Sequence, residues 1–283
     1  MEARLILNRL ANRLAEKQIK TARLDANLIL QMALGLDERI LMHHEIALSQ
    51  SQQDELEKLM AKRMAGCPVS RLKGAREFYS LRFGINDDTL DPRPDSEILV
   101  EAAIEYCQSQ KQKLAIADFG TGSGCLLLSV LYHHKNATGL GLDISENAIK
   151  MAQDNAHSLG LSKRVHFITS DWDDGLDDET RFDVILSNPP YIAEGDRQSL
   201  AVEVASFDPE RALFAGDDGL DAYRLLMAII CNRLNEGGVS FVEIGQNQED
   251  DVIDLAKRAG LEIEQLYQDL GGIIRCLKFR KNK

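Results

Sequence analysis

The stretch LAIADFGTGSGCLLLSVLYHH, residues 114–134, passes from an apolar run through a glycine-rich turn into a second apolar run. The first run has the length of a buried strand and the second that of a helix, so the segment reads as strand, tight turn, helix. Gly120, Gly122 and Gly124 stand in the turn, where a plain connection needs only one glycine. Glycine lets the backbone turn sharply and approach a ligand with no Cβ in the way. In open α/β sheets the ligand crevice lies beyond the carboxyl ends of the strands, which is where this turn falls.

The same alternation continues on both sides. A helix is predicted over 96–108, then strands at 137–144, 165–171 and 182–188, with a helix after the first of these that Ser145 can cap and Gly160 can end. After an irregular stretch come a helix at 221–235, a strand at 238–245, a helix at 249–260 and two strands at 261–267 and 273–279. The Gly271-Gly272 connection is too short for a parallel crossover, so the final strands must pair antiparallel. The expected fold class is α/β, a Rossmann-like, mostly parallel sheet covered on both faces. Residues 1–75 show helical spacing alone, at Ile6, Leu10 and Leu14 and at Leu24, Leu28, Gln31 and Leu34 before Gly35, which predicts a small domain of four or five helices. Residues 76–94 read as a β-hairpin linker with a polar turn around 86–88, closed by Pro92 and Pro94, and residues 95–283 as the catalytic domain.

Charge narrows the function. Thirty-three Lys and Arg stand against 45 Asp and Glu, a formal charge of −12 that repels a phosphate backbone. Nucleic acid is therefore not an expected partner, and Arg71, Lys73 and Arg76 read either as a local patch or as a solvated loop. The five cysteines are odd in number and contain no C-x-x-C pair, against a disulfide framework or a structural zinc. The pairs His43-His44 and His133-His134 point about 100° apart on a helix and cannot share a metal, so no metal is expected. The first twenty residues lack a signal-peptide core, and no window reaches the length of a membrane span. A cytoplasmic protein without membrane attachment is expected.

The glycine spacing is G-x-G-x-G, and Cys125 stands where a dinucleotide fingerprint carries its third glycine. Hydride chemistry with NAD loses ground. S-adenosylmethionine, which has no pyrophosphate, suits a loop (Gly120, Thr121, Gly122, Ser123, Gly124) whose backbone comes close to an amino-acid tail. Asp143 ends the next strand, where a carboxylate can accept from two ribose hydroxyls or serve as a helix-start acid. Asp171 and Trp172 end the strand after that, and Trp172 reads either as an adenine contact or as a core or rim residue. The fourth strand runs into Asn188-Pro189-Pro190-Tyr191. Two prolines end a sheet ladder and stiffen the backbone beyond it. A planar amide nitrogen is a weak nucleophile, but its two N–H groups can be caught by the Asn188 side-chain oxygen and the Pro189 carbonyl while Tyr191 packs on its plane. These four residues are the expected catalytic and substrate-binding set, and Asn188 also counts among the cofactor contacts.

With EFYS, PRPDSE (92–97), DFGTGSG (118–124), LDIS, SDW (170–172), SNPPYI (187–192) and FDPERAL in order, the chain resembles the release-factor glutamine methyltransferases, the HemK or PrmC family, over essentially its whole length. The resemblance implies a class I S-adenosylmethionine-dependent methyltransferase fold with a small helical N-terminal substrate-recognition domain. It implies methyl transfer to the glutamine of the Gly-Gly-Gln motif of class I peptide chain release factors, by an enzyme expected to work as a monomer. Ser96 and Phe119 are small departures from the family pattern. The alternative is a nucleic-acid adenine amino methyltransferase, which shares the Asn-Pro-Pro-Tyr clamp but needs a basic, base-reading surface.

Overall fold

The structure is a computed structural model and describes residues 2–36, 40, 43 and 45–282. The chain forms two compact units, Met1–Gly74 with Ala201–Phe207 and Ala75–Leu200 with Asp208–Lys283.

The first unit holds α1 (Ala3–Ala15), α2 (Ala22–Leu34), α3 (Gln50–Met64) and the short α4 (Val69–Lys73). Helix α1 buries Ile6, Leu10 and Leu14, as their spacing predicts. Helix α2 departs from expectation: Leu24 is 60% exposed, and the buried face is Asp25, Ala26, Ile29, Leu30 and Ala33. Its acid explains the rotation. Asp25 accepts from Arg63 of α3 at 2.7 Å with both side chains out of water, and the same guanidinium meets Glu203 at 2.6 Å. Burying an acid is tolerable only where a partner lies across from it, and that partner sits 38 residues away. Gly35, at φ 67°, ends α2 in the left-handed conformation, and Ser49 with Gln52 forms a reciprocal capping box on α3.

The second unit runs β1 (Ala75–Phe78), β2 (Leu81–Gly84), α5 (Glu97–Ser109), β3 (Leu114–Phe119), α6 (Cys125–His133), β4 (Ala137–Asp143), α7 (Glu146–Ser158), β5 (Val165–Thr169) and β6 (Phe182–Ser187). The chain then passes through α8 (Val202–Phe207), which groups with the first unit, and returns for α9 (Asp221–Arg233), β7 (Leu234–Glu243), α10 (Glu249–Arg258), β8 (Leu261–Gln268) and β9 (Ile274–Lys281). Seven strands form one sheet in the order β5-β4-β3-β6-β7-β9-β8, parallel except for β9, which runs antiparallel to both neighbours.

Alternate residues of the central strands feed two cores. Ile116, Val184, Leu186 and Phe241 pack with α5 and α6, while Ala117, Phe119, Ile185 and Val242 pack with α9 and α10. Burial on both faces is why these strands read as unbroken apolar runs.

The hairpin turns earlier than its polar residues suggest. Phe78 pairs with Leu81 around Tyr79 and Ser80, at φ 48° and 60°, a two-residue turn with both central residues left-handed. Residues 86–89 make a separate turn, in which Asp88 N donates to Asn86 Oδ1 and Asn86 N donates to Thr89 Oγ1. A Tyr-Ser pair carries none of the Asn-Gly signal for such a turn, so the polar residues at 86–88 drew the expectation instead. The hairpin is also no free-standing linker. Asn155 of α7 accepts from Gly84 N at 2.6 Å and donates to the carbonyls of Gly84 and Ser123, stapling β2 to the glycine turn.

Candidate functional site

The chain steps from β3 to β4 to β5 in one direction, then crosses back to lay β6 on the other side of β3. Connections leave β3 and β6 in opposite directions, which opens a crevice at their carboxyl ends. Phe119 is the register partner of both Ser187 and Leu142, and Ser187 is that of Val242. The next row across the sheet is therefore Asp143, Gly120, Asn188 and Glu243. The Ser187 hydroxyl donates to the Phe119 carbonyl at 2.8 Å and locks the two strand ends together.

A cavity of about 310 Å³ opens there, lined by Gly120, Thr121, Gly122 and Ser123, by Asp143, Asp171 and Trp172, and by Asn188, Pro189 and Pro190. Most of the sequence-predicted site residues thus meet in one place. Tyr191 and Gly124 are not among its lining residues. Tyr191 packs against the core beneath α9, and burial raises its phenol well above the usual range. Gly124 is needed for packing: at φ 79° a Cβ there would stand 3.0 Å from Leu128 and 3.3 Å from Ala152. At Gly120 and Gly122, φ 73° and 55°, a Cβ would project into open space. Those two glycines serve the left-handed turn and the approach to the cavity.

Strand β5 ends at Thr169, so Asp171 and Trp172 sit in the loop beyond it rather than in the strand. Trp172 holds φ 47°, strained for a bulky residue and found at a cavity wall. Asp143 is tied at both oxygens: Gly122 N donates to Oδ2 at 2.8 Å and Ser145 N to Oδ1 at 2.9 Å. Ser145 caps α7 through its own side chain, accepting from Ala148 N, so Asp143 is free of that task. Burial raises the Asp143 carboxyl, against the lowering effect of its two backbone donors and of Arg211. Beneath the turn lies Asp118, which accepts from Thr121 Oγ1 at 2.6 Å. Full burial pushes its carboxyl up to about 7.

Sequence reasoning missed several lining residues, among them Asp88, Arg93, Ser170 and Arg211. Arg93 pairs with Asp208, whose Oδ1 accepts from Asp91 N, so two distant loops close one wall. The blocks PRPDSE and FDPERAL carried that signal, but no spacing rule joins residues 115 positions apart. Gly219 and Gly245 were also missed. A Cβ on Gly219 would lie 2.5 Å from the Tyr191 carbonyl, and one on Gly245 would lie 3.0 Å from its ring. Gln248 completes this socket: its Nε2 donates to the Tyr191 carbonyl at 3.0 Å and its Oε1 accepts from Gly245 N at 3.0 Å. Among the described residues there is no cluster of three or more metal-ligating side chains, and no helix is long and apolar enough to cross a membrane. Of the His43-His44 pair, His44 lies outside the described residues.

Residues 91–212 match the family described as methyltransferase small domain, and residues 6–74 match the PrmC N-terminal domain. A release factor glutamine methyltransferase from Rhodospirillum rubrum is 41% identical over 99% of this chain and 86% of its own length. One from Bradyrhizobium diazoefficiens is also 41% identical, over 96% of this chain and 92% of its own. A solved methyltransferase from Pyrococcus furiosus superposes with a TM-score of 0.52 at 15% identity, over 82% of this chain and 99% of its own, a likeness of fold alone. With a site assembled at the switch point of this fold and near-complete relatives at this identity, the chain belongs to the release factor glutamine methyltransferase family.

Proposed function

We propose that Asn188, Pro189, Pro190 and Tyr191 form the clamp with which this chain, as a release factor glutamine methyltransferase, methylates the side-chain amide nitrogen of a glutamine. The acceptor is the glutamine of the Gly-Gly-Gln motif in class I peptide chain release factors, in the cytoplasm where translation takes place. The observation that carries this reading is the row across the sheet: Asn188 begins beside Gly120, and both line one cavity.

The residues fit S-adenosylmethionine. Gly120 and Gly122 leave open a face that side chains would fill, Asp143 and Asp171 offer carboxylate acceptors on the cavity wall, and Trp172 offers a ring face. When bound, this group supplies a methyl carbon made electrophilic by an attached sulfonium. Gly120 to Ser123, Asp143 and Trp172 would hold it, with Gly124 shaping the turn and Asn188 at the edge of the same cavity. The chain's own work is to place a poor nucleophile. The Asn188 oxygen and the Pro189 carbonyl accept the two amide hydrogens and fix the direction of the nitrogen. The prolines remove the freedom to relax away from that geometry. Gln248, Gly219 and Gly245 brace the tetrapeptide from behind, at the Tyr191 carbonyl and ring. The Tyr191 ring supports the clamp from the core side. No group need take the proton before transfer, since the amide gains acidity only once alkylated, and the proton can leave to water.

Radiolabelled S-adenosylmethionine, incubated with the protein and a class I release factor, is expected to label the release factor and not its Gly-Gly-Gln variant with the glutamine replaced. Label appearing in DNA or RNA instead would overturn the substrate. The charge of −12 supports the protein acceptor.

A further inference from the structure

Glu243 is the last residue of β7 and stands in the sheet row beside Asn188, one step past the Ser187 and Val242 register pair. In parallel strands, residues of one row share a face, so both side chains leave the sheet on the same side. Glu243 is 2% exposed, and among the described residues its Oε2 has no hydrogen-bond partner. Such a group is expensive to bury, and its fully buried neighbourhood invites an explanation other than surface chemistry. Its surroundings supply one. The Asn188 amide group donates from Nδ2 to the Ser96 hydroxyl at 3.2 Å. Burial raises the Glu243 carboxyl to about 7, and the neighbouring Ser96 and Asn188 side chains and the charge of Arg275 act against that rise.

An asparagine side chain can present either its oxygen or its NH₂ to a cavity, and only the oxygen accepts. An ionised carboxyl accepts and never donates, so above the pH at which Glu243 loses its proton a carboxylate behind the amide selects the flip in which NH₂ points inward. Serine alone cannot enforce this, because its hydroxyl donates as readily as it accepts. We infer that Glu243 is a positioning residue: with Ser96, its buried carboxyl holds the Asn188 NH₂ inward, so that the Asn188 oxygen faces the acceptor amide. This rests on the clamp reading above.

Glu243 does not line the cavity, so removing its charge should release the flip without deleting a cavity-lining side chain. Glu243→Gln is isosteric, and its own amide can meet Asn188 with either end. The expected result is a kcat lowered about 10- to 100-fold with little change in KM, since misplacement near the reacting atoms costs on that scale. The dissociation constant for S-adenosylmethionine should stay within about twofold and the melting transition should stay cooperative, as expected where no ligand contact is lost. A kcat within about twofold of the parent protein would overturn the inference. So would a parallel loss of turnover, cofactor affinity and melting temperature, which marks a structural role.

If Glu243→Gln does not fold, Ser96→Ala removes the other partner of the Asn188 NH₂ and is expected to lower kcat about threefold to tenfold with cofactor affinity unchanged; an unchanged kcat overturns the inference. Asn188→Ala is measured alongside. If it keeps normal turnover, the clamp reading itself falls. If it collapses while Glu243→Gln is unaffected, only the role of Glu243 falls.

Discussion

In the proposed clamp Asn188 carries the chemistry, because it follows the end of a buried strand and starts a stiff, proline-held segment. Replacing it with alanine deletes an acceptor and leaves the rest of the row in place. Turnover on a release factor is expected to fall roughly 100- to 1000-fold, by analogy with the loss of one preorganised contact to a reacting group, while S-adenosylmethionine binding stays measurable by calorimetry. Near-normal turnover would take the clamp out of the mechanism. Asp143 has a different expected signature. Its carboxylate braces the glycine turn through Gly122 N and faces the cavity, so Asp143→Ala removes a charged acceptor and loosens the loop. Charged hydrogen bonds contribute about 1.5–3 kcal/mol, so the affinity for S-adenosylmethionine should drop about tenfold to a hundredfold. An unaltered dissociation constant would exclude Asp143 as a contact.

At the level of elements, the clamp depends on packing between loops far apart in the chain. The β6 end is held by Ser187 on Phe119, and the following segment by Ile192 N donating to the Leu213 carbonyl and Ala215 N donating to the Ile192 carbonyl. Gly219 is where this packing brings backbone closest to the clamp. At φ 75° and with the Tyr191 carbonyl 2.5 Å from where a Cβ would sit, alanine must push the tetrapeptide out of line. Gly219→Ala is expected to lower stability by about 1–3 kcal/mol, the usual scale of overpacking and left-handed strain, and to lower turnover more than cofactor affinity. A urea titration beside a kinetic assay checks both. If stability and kinetics match those of the unaltered protein, the socket around Tyr191 does not matter.

For the whole molecule, two buried acids set a pH dependence of unusual sign. Burial raises Asp118 and Glu243 from ordinary carboxyl values to about 7. Between those two ranges the folded protein holds protons that the unfolded chain has released. By linkage, their contribution makes stability fall as pH rises through that window and leaves it reduced above it. Asp118→Asn, which cannot ionise, should therefore gain melting temperature relative to the unaltered protein between about pH 5 and about pH 8. A difference that stays constant with pH would mean that the Asp118 carboxyl does not titrate there.

Periodicity and turn chemistry made the catalytic α/β fold legible, because strands buried on both faces must be continuously apolar and glycine turns must be glycine. The antiparallel β9 followed from a connection too short to cross over. The meeting of the glycine turn, Asp143 and Asn188 at one cavity was legible because strand ends in such sheets face a crevice. What the sequence could not carry was any pairing between distant residues. Asp25 with Arg63 rotated α2 away from its expected face, Phe78 with Leu81 moved the hairpin turn to Tyr79-Ser80, and Arg93 with Asp208 closed a cavity wall. Burial costs are settled only when a partner arrives across space. Local sequence thus determined which elements form and where the cavity opens. Only the tertiary structure decided which polar groups meet, and with them the row in which Glu243 stands behind Asn188.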